Sequence, residues 1–289
     1  MESSVLTDYA IKYVVHILDN SAIPYCLVGE SVLELYGLQR KLGIFTGFAI
    51  PTKWMEHARY ALQQAGHFSC RGPCDARTGY KPTFKEDVPP IAPAWHFHMP
   101  PPPLAGGEHG SCGPSTFLWG YVVNFYNHSD ALWFFPEPPR GDPTTAPRPP
   151  LGDNVPPEGL GVLSDYYMLS DDLRLSPHRR HAPERHPIKI STPHRYLETI
   201  ICQMCVHRQK REVGLAETCA AIFHRLTLPR RLNPQLQVVL RERELSEPFR
   251  GFVENHFKDP EDPTKSDSGW EERVLTFLYT KPEIHMLLS

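Results

Sequence analysis

Cysteine and histidine are the residue types in this chain best suited to hold a metal ion, and one group of them has suggestive spacing. Cys202, Cys205 and His207 form a Cys-x-x-Cys-x-His run, and thiolate and imidazole groups are the usual zinc ligands. The run falls on a segment that we predict to be one continuous helix, and no second pair stands at the spacing of a zinc finger. We therefore interpret the two cysteines as thiols of a helical core.

A second group of cysteines and histidines lies earlier in the chain. Cys70 and Cys74 stand near His67, and His96 and His98 follow in a Trp-His-Phe-His run. Together these side chains could hold a transition metal. The same run suits an extended segment with its histidines facing outward, which is the interpretation that we favour. The sequence accordingly predicts no bound metal.

Basic side chains gather between residues 174 and 195, where a single glutamate, Glu184, is the only acid. Such a loop could contact phosphate or RNA. However, aromatic residues for base stacking do not interleave with these cations, and the whole chain has a net charge of -3. We favour a solvated loop and do not expect nucleic acid as a partner.

Hydrophobic spacing indicates the elements that must position these residues. The predicted elements of the first part are a helix over 6–18, a strand over 25–28, a tight turn at 29–31, a helix over 31–37, a strand over 44–50 and a helix over 53–65. Ser31 and Thr52 are predicted to cap the second and third helices, and Gly37 to end the second.

Proline divides the rest of the chain. Nine prolines between 82 and 114 predict an extended insert. We predict a core over 1–135 that carries this insert, a Pro/His/Arg-rich loop over 136–187, and a mainly helical region over 188–289 that packs on the core. The predicted elements are strands over 118–126, 131–135 and 188–190, a helix over 194–208 capped by Ser191 or Thr192, a helix through 215–226, helix starts at 233–234 and 246–248, and an apolar run over 274–279.

A strand leading into the Gly29-Glu30 turn, a helix that begins at Ser31, and Arg40 before a second strand form a recognisable opening. This segment, YCLVGESVLELYGLQRKLGIFTGFAIP, resembles nucleotidyltransferase-like proteins of the minimal kind, especially those of a fungal group. The resemblance implies an α+β fold, with a minimal mixed sheet and flanking helices, followed by a helical half. It also implies that Gly29, Glu30, Ser31 and Arg40 would contact a nucleotide, with the turn amides binding phosphate.

The resemblance further implies a catalytic metal site in active members of the fold. Two carboxylates one position apart on the second strand would bind Mg²⁺, and a third would stand on a neighbouring strand. Residues 35–55 of this chain contain neither Asp nor Glu, and the strand reads Phe45-Thr46-Gly47 where the pair is expected. Because Mg²⁺ takes oxygen ligands, we predict a non-catalytic relative with no cofactor.

Three hypotheses for the function stay open. The first is a degenerate nucleotidyltransferase-like protein that binds a nucleotide, through the Gly29 turn and Arg40, or a protein, through its Pro-rich inserts. The second is an active Mg²⁺-dependent nucleotidyltransferase with displaced carboxylates, Glu30 and Asp130. Asp130 could equally be a turn residue between two strands, which we favour. The third is a structural partner in a larger assembly.

The location of the protein is a further expectation. The chain opens without a basic start and apolar run, and contains no stretch of 18 apolar residues. Its seven cysteines are an odd number at irregular spacing. We expect an intracellular, cytoplasmic protein with reduced thiols and no membrane partner.

Overall fold

The computed structural model describes most of the predicted elements. The described residues are 2–38, 45–67, 69–70, 93–99, 121–143, 165–172, 175, 181, 186–232, 245–256 and 268–280. Their helices are α1 (Glu2–Asn20), α2 (Glu30–Leu35), α3 (Thr52–Gln64), α4 (His128–Ala131), α5 (Pro193–Gln209), α6 (Val213–Leu232), α7 (Phe249–His256) and α8 (Ser268–Tyr279). Their strands are β1 (Cys26–Gly29), β2 (Phe45–Ile50), β3 (Ser69–Cys70), β4 (Trp95–Met99), β5 (Tyr121–Asn127), β6 (Tyr167–Leu169) and β7 (Lys189–Ser191).

The strands form one mixed sheet in the order β3-β4-β5-β2-β1-β7-β6. β2 lies between β1, to which it is antiparallel, and β5, to which it is parallel. β7 pairs with β1 in parallel, and β6 and β4 are antiparallel to their neighbours. The expectation of a mixed sheet with helices, broadly an α+β fold, is thus confirmed.

One face of the central strands is an aromatic core. Phe48, Phe97 and Phe125 are each fully buried. Phe48 of β2 pairs with Phe125 of β5, and Phe97 of β4 pairs with Val123, two residues from Phe125 on the same face of the sheet. The rings of Phe48 and Phe125 meet edge-on at 6.1 Å between centroids, and those of Phe97 and Phe125 lie 4.9 Å apart. Aromatic side chains remove large apolar areas from water, so these strands acquire their stability from this face.

The ends of the early helices follow the glycine signals. Gly37, after α2, has φ 94°, and Gly66, after α3, has φ 88°. The residue after each glycine donates its N–H to a carbonyl of the preceding helix. Leu38 donates to the Leu33 carbonyl at 3.0 Å, and His67 donates to the Leu62 carbonyl at 2.9 Å. This is the helix-ending pattern in which the left-handed residue is usually glycine.

Several predictions about local structure were wrong. The run over 131–135 is not a strand: β5 continues into α4, and the chain then turns at Trp133, which has φ 22°. The Trp-His-Phe-His run of the Pro-rich insert is extended, as predicted, and forms β4, whereas the loop predicted over 136–187 contains β6. Pro51, not Thr52, stands before α3. A short apolar run has no period of its own, so its neighbours decide between strand and turn.

The helical second half packs on the sheet region through α5. Thr192 precedes α5 and Pro193 opens it, as predicted, although the Thr192 hydroxyl donates to the Asp165 carbonyl rather than capping the helix. The Gln203 amide donates to the carbonyls of Asp130 and Ala131 at 3.2 and 3.3 Å. α5 therefore holds the end of α4. Among the described helices, none is both long and apolar enough to cross a membrane.

Candidate functional site

The turn between β1 and α2 depends on Gly29. Gly29 closes β1 with φ 87° and ψ -156°, a backbone region open essentially to glycine alone. α2 begins directly at Glu30, so Gly29 is its N-cap and Ser31 already lies inside the helix. The expectation that Ser31 caps α2 is therefore wrong, and its side chain is buried. Arg40 lies outside the described residues.

The strand position where a metal-binding acid was expected is closed by an aromatic ring. A Cβ atom on Gly47 would lie 2.5 Å from Cε2 of Tyr126 and 3.2 Å from Cγ2 of Val28. Both side chains are buried. Since real Cβ contacts are longer than 3 Å, even alanine would displace the Tyr126 ring here. The backbone thus accepts glycine at residue 47 and excludes a carboxylate in the present packing.

The neighbouring strand, β5, carries an amide side chain at the position paired with Gly47. Asn124 of β5 pairs with Gly47 of β2 and with His96 of β4, and both polar side chains are buried. His96 therefore does not face outward, which corrects that expectation. The positions beside Gly47 on β1 and β5 are Val28 and Asn124, so no carboxylate flanks Gly47 on either strand.

The structure does not bring Glu30 and Asp130 together. Gly29, next to Glu30, pairs with Thr46 at the start of β2, whereas Asp130 belongs to α4, which follows the pairing of Ile50 with Asn127 at the strand's other end. The strand between these points spans about 13 Å. Two carboxylates that share one Mg²⁺ must lie within about 4 Å of each other.

The Asp130 carboxylate has local partners. Its Oδ2 accepts from the Asn127 amide and its Oδ1 from the Ser129 hydroxyl, each at 3.2 Å. The Trp133 indole donates to the Asp130 carbonyl at 2.7 Å. Asp130 is therefore a residue of a short helix and its turn, and does not separate two strands as expected.

The cysteine and histidine groups have structural surroundings. Cys202, Cys205 and Cys219 are free, buried thiols, which confirms the interpretation of Cys202 and Cys205 as core residues. Burial raises the pKa of Cys219 to about 12, so its reactive thiolate is scarce. Cys70 pairs with His96 across β3 and β4, and Cys74 lies outside the described residues. Within the described chain, no group of three or more His, Cys, Asp or Glu side chains could hold a metal ion.

Two cations of the basic stretch are internal rather than solvated. Arg195 donates to the Asp165 carboxylate, with its Nε 2.9 Å from Oδ2, and to Glu198 at 2.7 Å. Glu198 is fully buried, and its other oxygen accepts from the Ser246 N–H and hydroxyl at 2.8 Å each. These contacts join α5 to the start of α7. The solvated-loop expectation is wrong for Arg195.

The other internal cation is Lys189, which is only 1% exposed. Its Nζ donates to Asp19 Oδ1 at 2.7 Å and lies 4.4 Å from the centre of the Tyr25 ring. The second Asp19 oxygen binds His186 Nε2 at 2.8 Å and accepts from the Tyr25 hydroxyl at 3.0 Å. Burial lowers the pKa of Lys189, and attraction to Asp19 only partly opposes this. The network ties the end of α1 to β7.

A tyrosine at the end of α2 fixes that helix to the sheet. The Tyr36 hydroxyl donates to the Ser191 carbonyl at 2.7 Å and lies 3.0 Å from the Ser191 hydroxyl. Its ring meets Tyr196 of α5 edge-on at 6.0 Å. Tyr36 and Ser191 are 155 residues apart in the chain, so no local pattern could have revealed their contact.

A histidine and a tyrosine join α4 to β6. His128 Nε2 lies 2.8 Å from the Tyr167 hydroxyl, which itself donates to the Pro136 carbonyl. Because that hydroxyl uses its proton on Pro136, the histidine nitrogen donates to its oxygen. Burial lowers the pKa of His128 to about 4, so the ring is neutral at physiological pH.

The comparisons with known proteins add no relative. Searches with models of protein families, among curated proteins and among solved structures each found no match.

Proposed function

We propose that this protein is a non-catalytic relative of the nucleotidyltransferase-like fold that acts by binding. Gly47 carries the proposal: the sheet position at which an active relative would need a carboxylate is a glycine covered by the buried ring of Tyr126. A protein that transfers a nucleotide needs carboxylates to hold Mg²⁺ there. With the ring in place, a carboxylate side chain does not fit at residue 47.

The arrangement of the strands around this position supports the same proposal. β1, the Gly29 turn, α2 and β2 follow one another as the resemblance implies, and β5 lies beside β2 where a third carboxylate would be expected. The residue of β5 that pairs with Gly47 is Asn124, which has an amide in place of a carboxylate. The scaffold can persist without the chemistry because folding depends on the apolar faces and turns.

The hypothesis of displaced carboxylates receives no comparable support. Glu30 and Asp130 stand at opposite ends of β2, and Asp130 is engaged by Asn127 and Ser129. We therefore infer binding without turnover, and a nucleotide held at the Gly29 turn is the ligand to test first.

Calorimetric titration with ATP, GTP, CTP and UTP, each with and without Mg²⁺, tests the proposal. We expect binding, where it occurs, to be independent of Mg²⁺. Gly29→Ala should abolish binding at the turn, whereas Gly66→Ala, at a residue with nearly the same φ of 88° and open space around its Cβ, should retain it.

Two outcomes would count against the proposal. Mg²⁺-dependent transfer of a nucleotide would show that the chain is an active enzyme. Binding that requires Mg²⁺ would point to a metal site built from carboxylates other than Glu30 and Asp130. If none of the four nucleotides binds, a nucleotide is excluded as the ligand, and a protein ligand is the hypothesis that stays.

A further inference from the structure

Residues 136–143 form a segment that regular structure does not hold in place. Its sequence is Pro-Glu-Pro-Pro-Arg-Gly-Asp-Pro, and we call it the strap. Half of its residues are prolines, which have no N–H to donate to a sheet or helix. The strap follows α4 and its turn, and its position depends on contacts that the rest of the chain makes with it.

Each end of the strap is bound by a buried side chain. At the near end, the Pro136 carbonyl accepts from the Tyr167 hydroxyl. At the far end, the Gly141 carbonyl accepts from Lys189 Nζ at 2.7 Å. The second contact belongs to the buried network with Asp19, and His186 of that network lies 3.9 Å from Asp142 of the strap.

Between its ends the strap covers an indole ring of α3. The Arg140 guanidinium lies 4.6 Å from the centre of the Trp54 ring. Glu137 Oε1 accepts from the Trp54 indole and from Arg140 at 3.2 Å each, and Oε2 pairs with Lys53 at 2.5 Å. Arg140 and Lys53 are more than half exposed, so water competes with these contacts.

We propose that the strap is a movable cover for Trp54, held at its near end by Tyr167 and at its far end by Lys189, and that it opens as one unit when either contact is lost while the sheet stays folded. The charged contacts over Trp54 are exposed and individually weak, whereas the side chains that donate to the two ends, Tyr167 and Lys189, are buried. The ends therefore decide whether the cover stays closed. This proposal does not depend on nucleotide binding.

Limited digestion with trypsin measures the opening, because the strap contains one cleavable bond, Arg140–Gly141. Cleavage tracks the population of the open form when opening and closing are fast. The variant is Asp19→Asn with Lys189→Met, which removes the pin without leaving an unpaired buried carboxylate. Its matched control is Lys53→Met, which removes the exposed cation of α3 that pairs with Glu137 in the middle of the strap.

We expect the double variant to be cut at Arg140 about tenfold faster than the wild type, and Lys53→Met within about twofold of it. Far-ultraviolet circular dichroism should show an intact sheet in both. Equal cleavage of the double variant and the wild type would overturn the proposal. Faster cleavage accompanied by loss of the sheet would overturn it as well, because Lys189 would then hold the fold rather than the strap.

Tyr167→Phe tests the near end of the strap independently of the double variant. It frees the Pro136 carbonyl at the near end and leaves the charges of the Lys189 network in place. We expect faster cleavage at Arg140 with the sheet intact, together with greater acrylamide quenching of Trp54, measured as the difference from the same protein carrying Trp54→Phe. Unchanged cleavage and quenching would overturn the proposal.

Discussion

The two faces of the central sheet are built on different principles. One face joins Phe48, Phe97 and Phe125 in an unbroken aromatic layer. The alternation of side chains places Gly47, Asn124 and Tyr126 on the other face, where a glycine and a buried amide lie beside a single ring. The polar face continues onto β7, whose Lys189 and Ser191 each have a particular distant partner.

This difference shows where single substitutions are informative. Apolar contacts are non-directional, so the aromatic face tolerates changes that preserve its volume. A buried polar group loses its partner completely when that partner is removed. The polar face should therefore respond more sharply to a change of one residue, and the following predictions compare buried sites with matched exposed ones.

The largest effect is expected at Lys189. Lys189→Met leaves the buried Asp19 carboxylate without its cation, and breaking such a pair costs about 3–5 kcal/mol of unfolding free energy. Lys53→Met removes a cation from an exposed pair with Glu137 and should cost about 0–1 kcal/mol. Urea denaturation of both variants measures the difference, and similar losses would contradict the buried network.

Gly47 should be the next most sensitive position. Gly47→Ala places a methyl group against the Tyr126 ring, and such overpacking costs about 1–3 kcal/mol. Gly214→Ala has open space around the new methyl group and lies in α6, so it should be neutral or slightly stabilising. Thermal unfolding compares the two. If Gly47→Ala is also neutral, the ring does not close this position.

Acid should weaken the fold through His128. Its pKa falls from 6.5 to about 4 on folding, so the unfolded chain binds more protons between these values, and stability falls as the pH falls. The contribution lost between pH 7 and pH 5 is about 2 kcal/mol. His128→Gln keeps an N–H donor for Tyr167 but does not titrate. Between pH 7 and pH 5, the unfolding free energy of this variant should therefore fall by about 2 kcal/mol less than that of the wild type. Parallel curves for the two proteins would contradict the shift.

The smallest effect is expected at Tyr36. Tyr36→Phe removes the hydroxyl that donates to Ser191 and should cost about 1 kcal/mol. Tyr60→Phe provides the control, because Tyr60 is 60% exposed and its change should stay within about 0.5 kcal/mol of zero. Chemical denaturation resolves this difference. A loss at Tyr60 as large as at Tyr36 would show that the Ser191 contact contributes little.

The sequence by itself determined the elements whose signals are local. Helical spacing and glycine at the helix end predicted α2 and α3, and alternation and short apolar runs predicted β1 and β2. The absence of acids from residues 35–55 is likewise a property of the sequence, and it is the basis of the non-catalytic proposal. These features need only neighbours within a few positions of the chain.

Only the tertiary structure decided what surrounds those elements. Asp19 and Lys189 are 170 residues apart, and each alone is typical of a solvated surface residue. The Trp-His-Phe-His run became β4 because β3 and β5 supply its hydrogen bonds, and the run over 131–135 became a turn because α5 holds the end of α4. Gly47 illustrates both contributions. The sequence shows that residue 47 is a glycine and not an acid, but only the packing of the sheet brings the Tyr126 ring onto it. Contacts between distant residues form when the chain closes on itself, and no local spacing records them.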